Sequence, residues 1–233
     1  GKIDVTKLFF DIETIPASEE SIDALRHLYD KKISKVEPDS DKIQDTFDKF
    51  IEKTSFDGAY GRICCIAYAI NDKPAEYLSG DEKQIVKKFW EIAGSVDLII
   101  GHNIRDFDLP FIMQRSAILG VKPTWNKFEE PGKKPWDMVK FLSFARYKNA
   151  PIFDTMHEWD NWSGYKKSLE HLCYAMGIPT PKDGIDGSQV WNFYKAGKIK
   201  EICEYCARDV EATRAVYKRM TFENVEETQF EPF

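Results

Sequence analysis

The sequence has no surplus of basic residues: 33 lysines and arginines stand against 39 aspartates and glutamates, a formal net charge of −6. A strongly basic balance is the usual sign of a protein that coats nucleic acid, so the composition does not favour that class. Two explanations of the acidic surplus stay open. It provides plain solubility, or some of the acids exist to be neutralised by bound cations.

The sequence also lacks any apolar run near the roughly 20 residues of a membrane-spanning helix, and no signal-peptide pattern opens it. We therefore expect a cytoplasmic protein without membrane contact. Five cysteines, an odd number at irregular positions, predict reduced thiols rather than a disulfide framework. Cys203 and Cys206 form a Cys-x-x-Cys pair, but no second pair accompanies them. Helix packing is therefore favoured over a zinc site.

Strand patterns dominate early in the chain, and helical patterns lie between and after them. The strands are predicted at residues 7–15, 62–70, 75–80, 96–103 and 151–159, the last running into a helix. The helices are predicted at residues 81–94, 108–120, 166–177, 190–197 and 198–220. This order predicts one α/β domain at residues 1–222 and a tail at 223–233.

A long charged segment at residues 17–59 follows the first strand. Its apolar residues recur at roughly helical spacing, for example Ile43, Phe47 and Phe50, which predicts one or two amphipathic helices inserted between strands. A lid, a substrate-guiding arm and a protein contact stay open as its role. The tail could serve as a docking peptide, although a frayed end is the stronger expectation.

Two acids interrupt the first strand, in the sequence FFDIET. Asp11 and Glu13 are two residues apart, so both carboxylates project from one face of the strand and lie roughly 6–7 Å apart along the backbone. Phe10 and Ile12 point to the other face. Unpaired carboxylates in such a place would repel each other and be costly to desolvate, and a divalent cation removes both penalties. The alternative is a wet strand end.

Two further acidic clusters follow along the chain. In NIRDFD, Asp108 and Asp106 lie at the start of a predicted helix, where either could act as its N-cap. In YCARD, Tyr205 and Asp209 are four residues apart in a helix and therefore share a face. Ile202, Ala212 and Val216 extend that face as an apolar stripe. An aspartate within such a stripe is uncommon, although a position at the margin of the stripe is an ordinary alternative for Asp209.

Taken in order, FDIET, NIRDFD and YCARD resemble the three motifs of the DEDD superfamily of 3′-to-5′ exonucleases. The histidine branch of that superfamily has a His five residues before the last aspartate. Position 204 is Glu, so the chain resembles the tyrosine branch. It is most similar to stand-alone proteins related to the exonuclease domain of family-B DNA polymerases. The resemblance covers about residues 8–16 and 60–220.

The resemblance implies a ribonuclease H-like fold with a mixed five-stranded sheet flanked by helices. It implies two divalent ions, Mg²⁺ or Mn²⁺, held by Asp11, Glu13, Asp108 and Asp209, a set of oxygen ligands that suits hard cations. Asp11 would bridge the ions, Glu13 and Asp209 would bind the ion that activates water, and Asp108 would bind the other. Tyr205 would orient the attacking water, because an ordinary tyrosine pKa near 10 makes it a poor base.

The family also implies substrate contacts beside the acids. Thr14 would meet the terminal 3′ hydroxyl, and Ile15 would wedge beside the last base. Asn103 and Phe107 would border the terminal nucleotides. A turn residue at position 14 and core packing at position 107 are the structural alternatives.

The predicted activity is hydrolysis from the 3′ end of single-stranded nucleic acid, releasing nucleoside 5′-monophosphates. We favour DNA over RNA as the substrate, although the sequence does not show the preference, because no residue can be assigned to a 2′-hydroxyl contact. Since the chain is acidic overall, its binding surface for nucleic acid must be local. We expect modest affinity that decreases as the salt concentration rises. The alternative is a catalytically weak or inactive nucleic-acid-binding module. A different phosphodiesterase on the same fold is a third possibility.

Overall fold

A mixed sheet forms the centre of the protein in the computed structural model, which describes residues 4–123, 144, 150–180 and 185–223. The strands in these residues are β1 Lys7–Ile15, β2 Arg62–Ile70, β3 Glu76–Ser79, β4 Leu98–Gly101 and β5 Ile152–Asp154. Their order in the sheet is β3-β2-β1-β4-β5. The β1–β2 and β2–β3 pairs are antiparallel, whereas β1–β4 and β4–β5 are parallel. The predicted mixed five-stranded sheet is confirmed.

Helices flank this sheet. Those in the described residues are α1 Ile22–Ser34, α2 Phe47–Glu52, α3 Glu82–Gly94, α4 Leu109–Leu119, α5 Thr155–Trp159, α6 Leu169–Met176, α7 Val190–Lys195 and α8 Ile199–Met220. Their ends follow from local chemistry. Asp81 caps α3 by accepting a hydrogen bond from the amide of Gln84. Gly120 ends α4 in the left-handed conformation, which a glycine adopts without strain.

Strand β1 separates two buried apolar clusters. Phe10 and Ile12 belong to a cluster on the side of α3 and α4. Phe9 belongs to a second cluster on the other side, which includes residues of α7 and α8. The strand is therefore covered on both faces, and any carboxylate on it must be accommodated at the edge of one of these clusters.

Residues 17–59 contain α1 and α2, which pack on each other through a small aromatic centre. The ring of Tyr29 lies 5.3 Å from that of Phe47 and 5.4 Å from that of Phe50. The Tyr29 hydroxyl also donates to the backbone oxygen of Asp45, at 2.7 Å. Ile43 is 99% exposed and lies outside both helices, because Thr46 caps α2 and starts it at Phe47. The helical spacing expected from Ile43 onward is therefore wrong for that residue.

Parts of the sequence-based interpretation lie outside the described residues. These are the tail beyond residue 223 and most of residues 120–150, where the sequence predicts a loop with a short helix. The division into a domain at 1–222 and a tail stays a prediction. Among the described helices, none combines the length and the apolar composition that a membrane crossing requires.

Candidate active site

Asp11 and Glu13 project from the face of β1 that is covered by α8. The Cys206 thiol on α8 lies 3.7 Å from the Asp11 Oδ2 atom and 3.4 Å from its backbone oxygen. Phe10 and Ile12 pack on the opposite side of the sheet, as alternation along a strand requires. The two acids therefore share a face, as their spacing predicts, and both are half-buried.

A β-bulge lies where the acidic segment of β1 ends. Glu13 pairs with Cys65 and Thr14 pairs with Ile63, so Cys64 is an extra residue on β2. The Cys64 thiol donates to the Glu13 backbone oxygen at 3.4 Å. Bulges bend a strand and redirect its side chains, and this one lies next to both predicted metal ligands of β1.

Asp108 reaches the same place through an irregular turn after β4. Gly101 is required there, because a Cβ would lie 2.2 Å from the Ile104 Cγ2 atom. Asn103 follows with a φ of 62°, in the left-handed region that asparagine tolerates, and Ile104–Asp108 form a π-helical turn. The buried Asp108 carboxylate then accepts a hydrogen bond from the backbone amide of Ile12, at 3.1 Å. Asp108 therefore does not act as the side-chain cap of α4.

Asp154 holds this turn in place from the end of β5. Its carboxylate is fully buried and accepts the backbone amides of Asn103 at 2.9 Å, Arg105 at 3.0 Å and Met156 at 3.0 Å. It also accepts the amide of His157 at 3.4 Å, at the start of α5. Asp154 is thus a structural acceptor that fixes the approach to Asp108.

Helix α8 supplies Tyr205 and Asp209 on one face, as their spacing predicts. Burial and then the charge of Asp209 raise the pKa of the Tyr205 hydroxyl, so the two side chains interact. A cleft of about 290 Å³ opens beside both residues. Its lining also includes Ser168, Leu169 and Glu170 at the start of α6. The two side chains therefore face a space that can admit part of a ligand.

All four predicted metal ligands have raised pKa values, and burial is the largest cause for each. Burial, and then the charge of Asp108, raises the pKa of Asp11 well above its ordinary value. Burial, and then the charge of Asp209, raises the pKa of Glu13 in the same way. Burial also raises the pKa of Asp108 to about 7 and that of Asp209 to about 6. Neighbouring acids that oppose each other's ionisation are stabilised by a cation.

Cysteine thiols form the layer behind these acids. All five cysteines are free and buried, which agrees with the expectation of reduced thiols. Cys65 belongs to the same buried cluster as Cys203 and Cys206, so the Cys-x-x-Cys pair packs against β2 as ordinary helix packing predicts. Ligand atoms of Asp11, Glu13 and Cys206 lie within 4.8 Å of one another, which brings a potential soft ligand beside the oxygen ligands.

The predicted substrate residues differ in their surroundings. The Thr14 hydroxyl donates to the Ser55 backbone oxygen at 2.6 Å, so its proton is used within the fold while its oxygen can still accept. Phe107 is half-buried, with its ring 5.5 Å from that of Phe111. The Asn103 Oδ1 atom is buried and has no hydrogen-bond partner among the described residues.

The expectation for Ile15 is corrected by its burial. The side chain is 2% exposed and belongs to the same apolar cluster as Ile185 and Val190, so α7 and the residues before it cover the end of β1. No surface of Ile15 is open to a base, and a wedge role is not proposed again.

Comparisons with known proteins place the chain in a family. A family model described as a predicted 3′–5′ exonuclease related to the exonuclease domain of PolB matches residues 63–231. The match includes Asp108, Tyr205 and Asp209 and begins after Asp11 and Glu13. An uncharacterized protein of Methanocaldococcus jannaschii is 26% identical over 181 residues, which are 72% of this chain and 90% of that protein.

Archaeal polymerases are also similar. A DNA polymerase of Pyrococcus glycovorans is 24% identical over 245 residues, covering 91% of this chain and 31% of the polymerase. The structure of the family B DNA polymerase of Pyrobaculum calidifontis matches with a TM-score of 0.60 at 18% identity, over 94% of this chain and 25% of that chain. The chain therefore spans a third or less of these polymerases, and the structural match confirms the predicted ribonuclease H-like fold. By the match over most of its length, the chain belongs to the family of predicted 3′–5′ exonucleases related to the exonuclease domain of PolB.

Proposed function

We propose that the protein is a metal-dependent 3′–5′ exonuclease of the tyrosine branch, acting on single-stranded nucleic acid with DNA preferred over RNA. Its products would be nucleoside 5′-monophosphates. The observation that carries the proposal is the convergence of Asp11, Glu13, Asp108 and Asp209 from three separate elements, each with a raised pKa, in a chain of this family.

The donor set fits divalent cations. Asp11 and Glu13 share one face of β1, Asp108 accepts the Ile12 amide beside them, and the charge of Asp209 acts on both strand acids. Such a group is strained when all its members are ionised, and oxygen ligands of this kind suit Mg²⁺ or Mn²⁺. A pair of such ions, when bound, would activate water and stabilise the leaving 3′ oxygen of a phosphodiester.

Asp11 interacts with all three other acids. Besides its burial, the charges of Asp108, Glu13 and Asp209 each raise its pKa. We assign it to both ions for this reason. After burial, the charge of Asp209 is the main cause of the raised pKa of Glu13, and the two acids would serve the ion on the side of the attacking water. Asp108, which is fixed by the Ile12 amide, would serve the ion on the side of the leaving group.

Tyr205 would hold the attacking water. Burial and then the Asp209 charge raise the pKa of the Tyr205 hydroxyl above its ordinary value, so the hydroxyl keeps its proton near neutral pH. It therefore cannot take the proton of the water. The Oη atom can instead donate one hydrogen bond and accept another, which fixes the water in a direction set by Asp209.

The 3′ end would lie beside the end of β1. The Thr14 oxygen can accept a hydrogen bond from a terminal 3′ hydroxyl, because only the Thr14 proton is engaged, by Ser55. Asn103 and the half-buried ring of Phe107 would border the terminal nucleotides, on the side of the turn that carries Asp108.

The test uses single-stranded DNA and RNA labelled at the 5′ end, each incubated with Mg²⁺, Mn²⁺ or EDTA. We expect a ladder that shortens from the 3′ end, faster for DNA, only when a metal is present. Asp11→Ala should abolish it, whereas Asp106→Asn, a change of an exposed acid in the NIRDFD segment, should keep it. Absence of hydrolysis of both polymers under every metal would overturn the proposal and leave a binding module.

A further inference from the structure

We propose that Phe56, in the segment that follows α2, is a stacking platform for a nucleobase of the bound 3′ end. The inference rests on the proposed function and adds a substrate contact that the motifs do not contain. Phe56 is 76% exposed, an unusual state for a large aromatic side chain. Its position beside the candidate active site distinguishes it from a scattered apolar residue on the surface.

The Phe56 ring continues a row of aromatic side chains that leads to Asp108. Its centroid lies 6.5 Å from that of Phe107, in an edge-to-face arrangement, and Phe107 in turn contacts Phe111. Phe107 precedes Asp108 directly in the π-helical turn. The exposed ring is therefore the outermost member of a row whose inner members are anchored in the core.

The backbone on either side of Phe56 is fixed to the end of β1. The Ser55 oxygen accepts the Thr14 hydroxyl at 2.6 Å. The Thr54 hydroxyl accepts the Ala17 amide at 2.9 Å. Residues before Phe56 are thus tied to the same strand end that supplies Asp11 and Glu13.

Hydrogen bonds and close packing also fix the residues after Phe56. The Arg115 guanidinium donates to the backbone oxygens of Gly58 and Ala59, both at 3.1 Å, and forms a largely buried ion pair with Glu82. Gly61 packs so closely that a Cβ would lie 2.1 Å from the Thr54 backbone oxygen. Phe56 is therefore an exposed ring on a tightly packed backbone, and it would lose little freedom on binding.

A nucleobase is the ligand that this arrangement fits. A flat apolar ring beside a phosphodiesterase centre can stack on any base, since every base has a π face. The chain carries a formal net charge of −6, so a stacking contact, which does not depend on charge, adds to affinity for the strand. Phe56 contributes this contact from the insert, whereas Phe107 contributes it from the motif.

The test measures binding of a single-stranded oligodeoxynucleotide carrying 2-aminopurine at its 3′ end. Ca²⁺ replaces Mg²⁺, to keep the divalent charge with looser coordination geometry. We expect Phe56→Ala to weaken binding by about 5- to 100-fold, the range of a lost stack, and to reduce the quenching of 2-aminopurine fluorescence. Phe56→Trp should restore both. Phe222→Ala is the matched control, because Phe222 is 74% exposed at the far end of α8 from Tyr205.

A second oligodeoxynucleotide, abasic at its 3′-terminal positions, separates stacking from a general effect on the fold. Wild type and Phe56→Ala should bind it equally. The inference is overturned if Phe56→Ala binds the normal strand as wild type does, or weakens both strands alike. If Phe56→Ala does not fold, weak binding by folded Phe56→Trp overturns it. Dependence on Phe56 without hydrolysis in Mg²⁺ would keep the platform and reject only the exonuclease, whereas hydrolysis without that dependence would do the reverse.

Discussion

Asp154 and Asp108 are both buried carboxylates near the turn that follows β4, but their surroundings differ. Asp154 accepts four backbone amides, so its charge is satisfied by the fold itself. Asp108 accepts the amide of Ile12 and lies beside Asp11, and its burial raises its pKa to about 7. A buried acid surrounded by donors stabilises a structure, whereas one surrounded by acids requires a cation.

The largest expected effect comes from neutralising the predicted metal ligands. Asp11→Asn and Asp108→Asn should each reduce hydrolysis of single-stranded DNA by about 10³-fold or more, because transition-state charge loses its stabilisation. Their melting temperatures in EDTA at pH 8 should not fall, since a repulsive charge has been removed. A drop in stability with activity retained would place Asp108 in the same class as Asp154.

The converse change removes the satisfied carboxylate. Asp154→Ala leaves four backbone amides without their acceptor and should lower the free energy of unfolding by about 3 kcal/mol or more, measured by urea denaturation. Asp154→Asn is the matched variant, because its remaining oxygen can serve the three amides that Oδ1 accepts. It should lose less stability than Asp154→Ala. Equal stability of all three proteins would contradict the structural role of Asp154.

Tyr205→Phe tests the role of the Tyr205 hydroxyl, which lies beside Asp209 in the lining of the cleft. Loss of the hydroxyl should reduce kcat by about 10- to 100-fold with little change in KM, as expected for a group that positions water. The hydrogen bond from Tyr205 lowers the pKa of Asp209. Its loss should move the acidic limb of the pH–rate profile to higher pH. Tyr174→Phe, at a 67% exposed tyrosine on α6, should change neither quantity.

The smallest expected effect is on stability without metal. The folded pKa values of about 7 for Asp108 and about 6 for Asp209 exceed the ordinary aspartate value near 3.9. Between about pH 4 and pH 7 the folded state thus binds more protons than the unfolded state, and these groups stabilise it less as the pH rises. The melting temperature in EDTA should fall by about 3 °C or more from pH 5 to pH 8.

Two variants, Asp108→Asn and Asp106→Asn, test whether this pH dependence comes from Asp108. Asp108→Asn should flatten the fall with pH, and Asp106→Asn should not, because Asp106 is half-exposed and pairs with Lys166. Mn²⁺ at pH 8 should raise the melting temperature of the wild type and of Asp106→Asn more than that of Asp108→Asn. A wild-type melting temperature that rises across this pH range in EDTA would contradict the raised pKa values.

Local rules were sufficient for much of this arrangement. Alternation along β1 predicts that Asp11 and Glu13 share a face, and helical spacing predicts the same for Tyr205 and Asp209. Long-range contacts were not accessible to those rules. Two of the four amides held by Asp154, those of Asn103 and Arg105, come from a turn about 50 residues earlier in the chain, and nothing near position 154 specifies them.

The exposure of Ile15 and of Phe56 also could not be predicted from the sequence: Ile15 is buried and Phe56 is exposed. The motif resemblance suggested an exposed Ile15, but the packing of α7 and the residues before it on β1 buries that side chain. The helical spacing of the insert suggested nothing about Phe56, which becomes notable only because Thr14 and Arg115 fix the backbone around it. Exposure depends on which element covers a residue, and a single sequence does not give that.

The most direct test of the central claim is the binding of Mn²⁺ at pH 8, followed by electron paramagnetic resonance of the free ion. We expect two bound ions per chain in the wild type and in Asp106→Asn, and loss of binding in Asp11→Asn, since Asp11 is assigned to both ions. Equal Mn²⁺ binding by wild type and a folded Asp11→Asn, or no binding by the wild type, would contradict it.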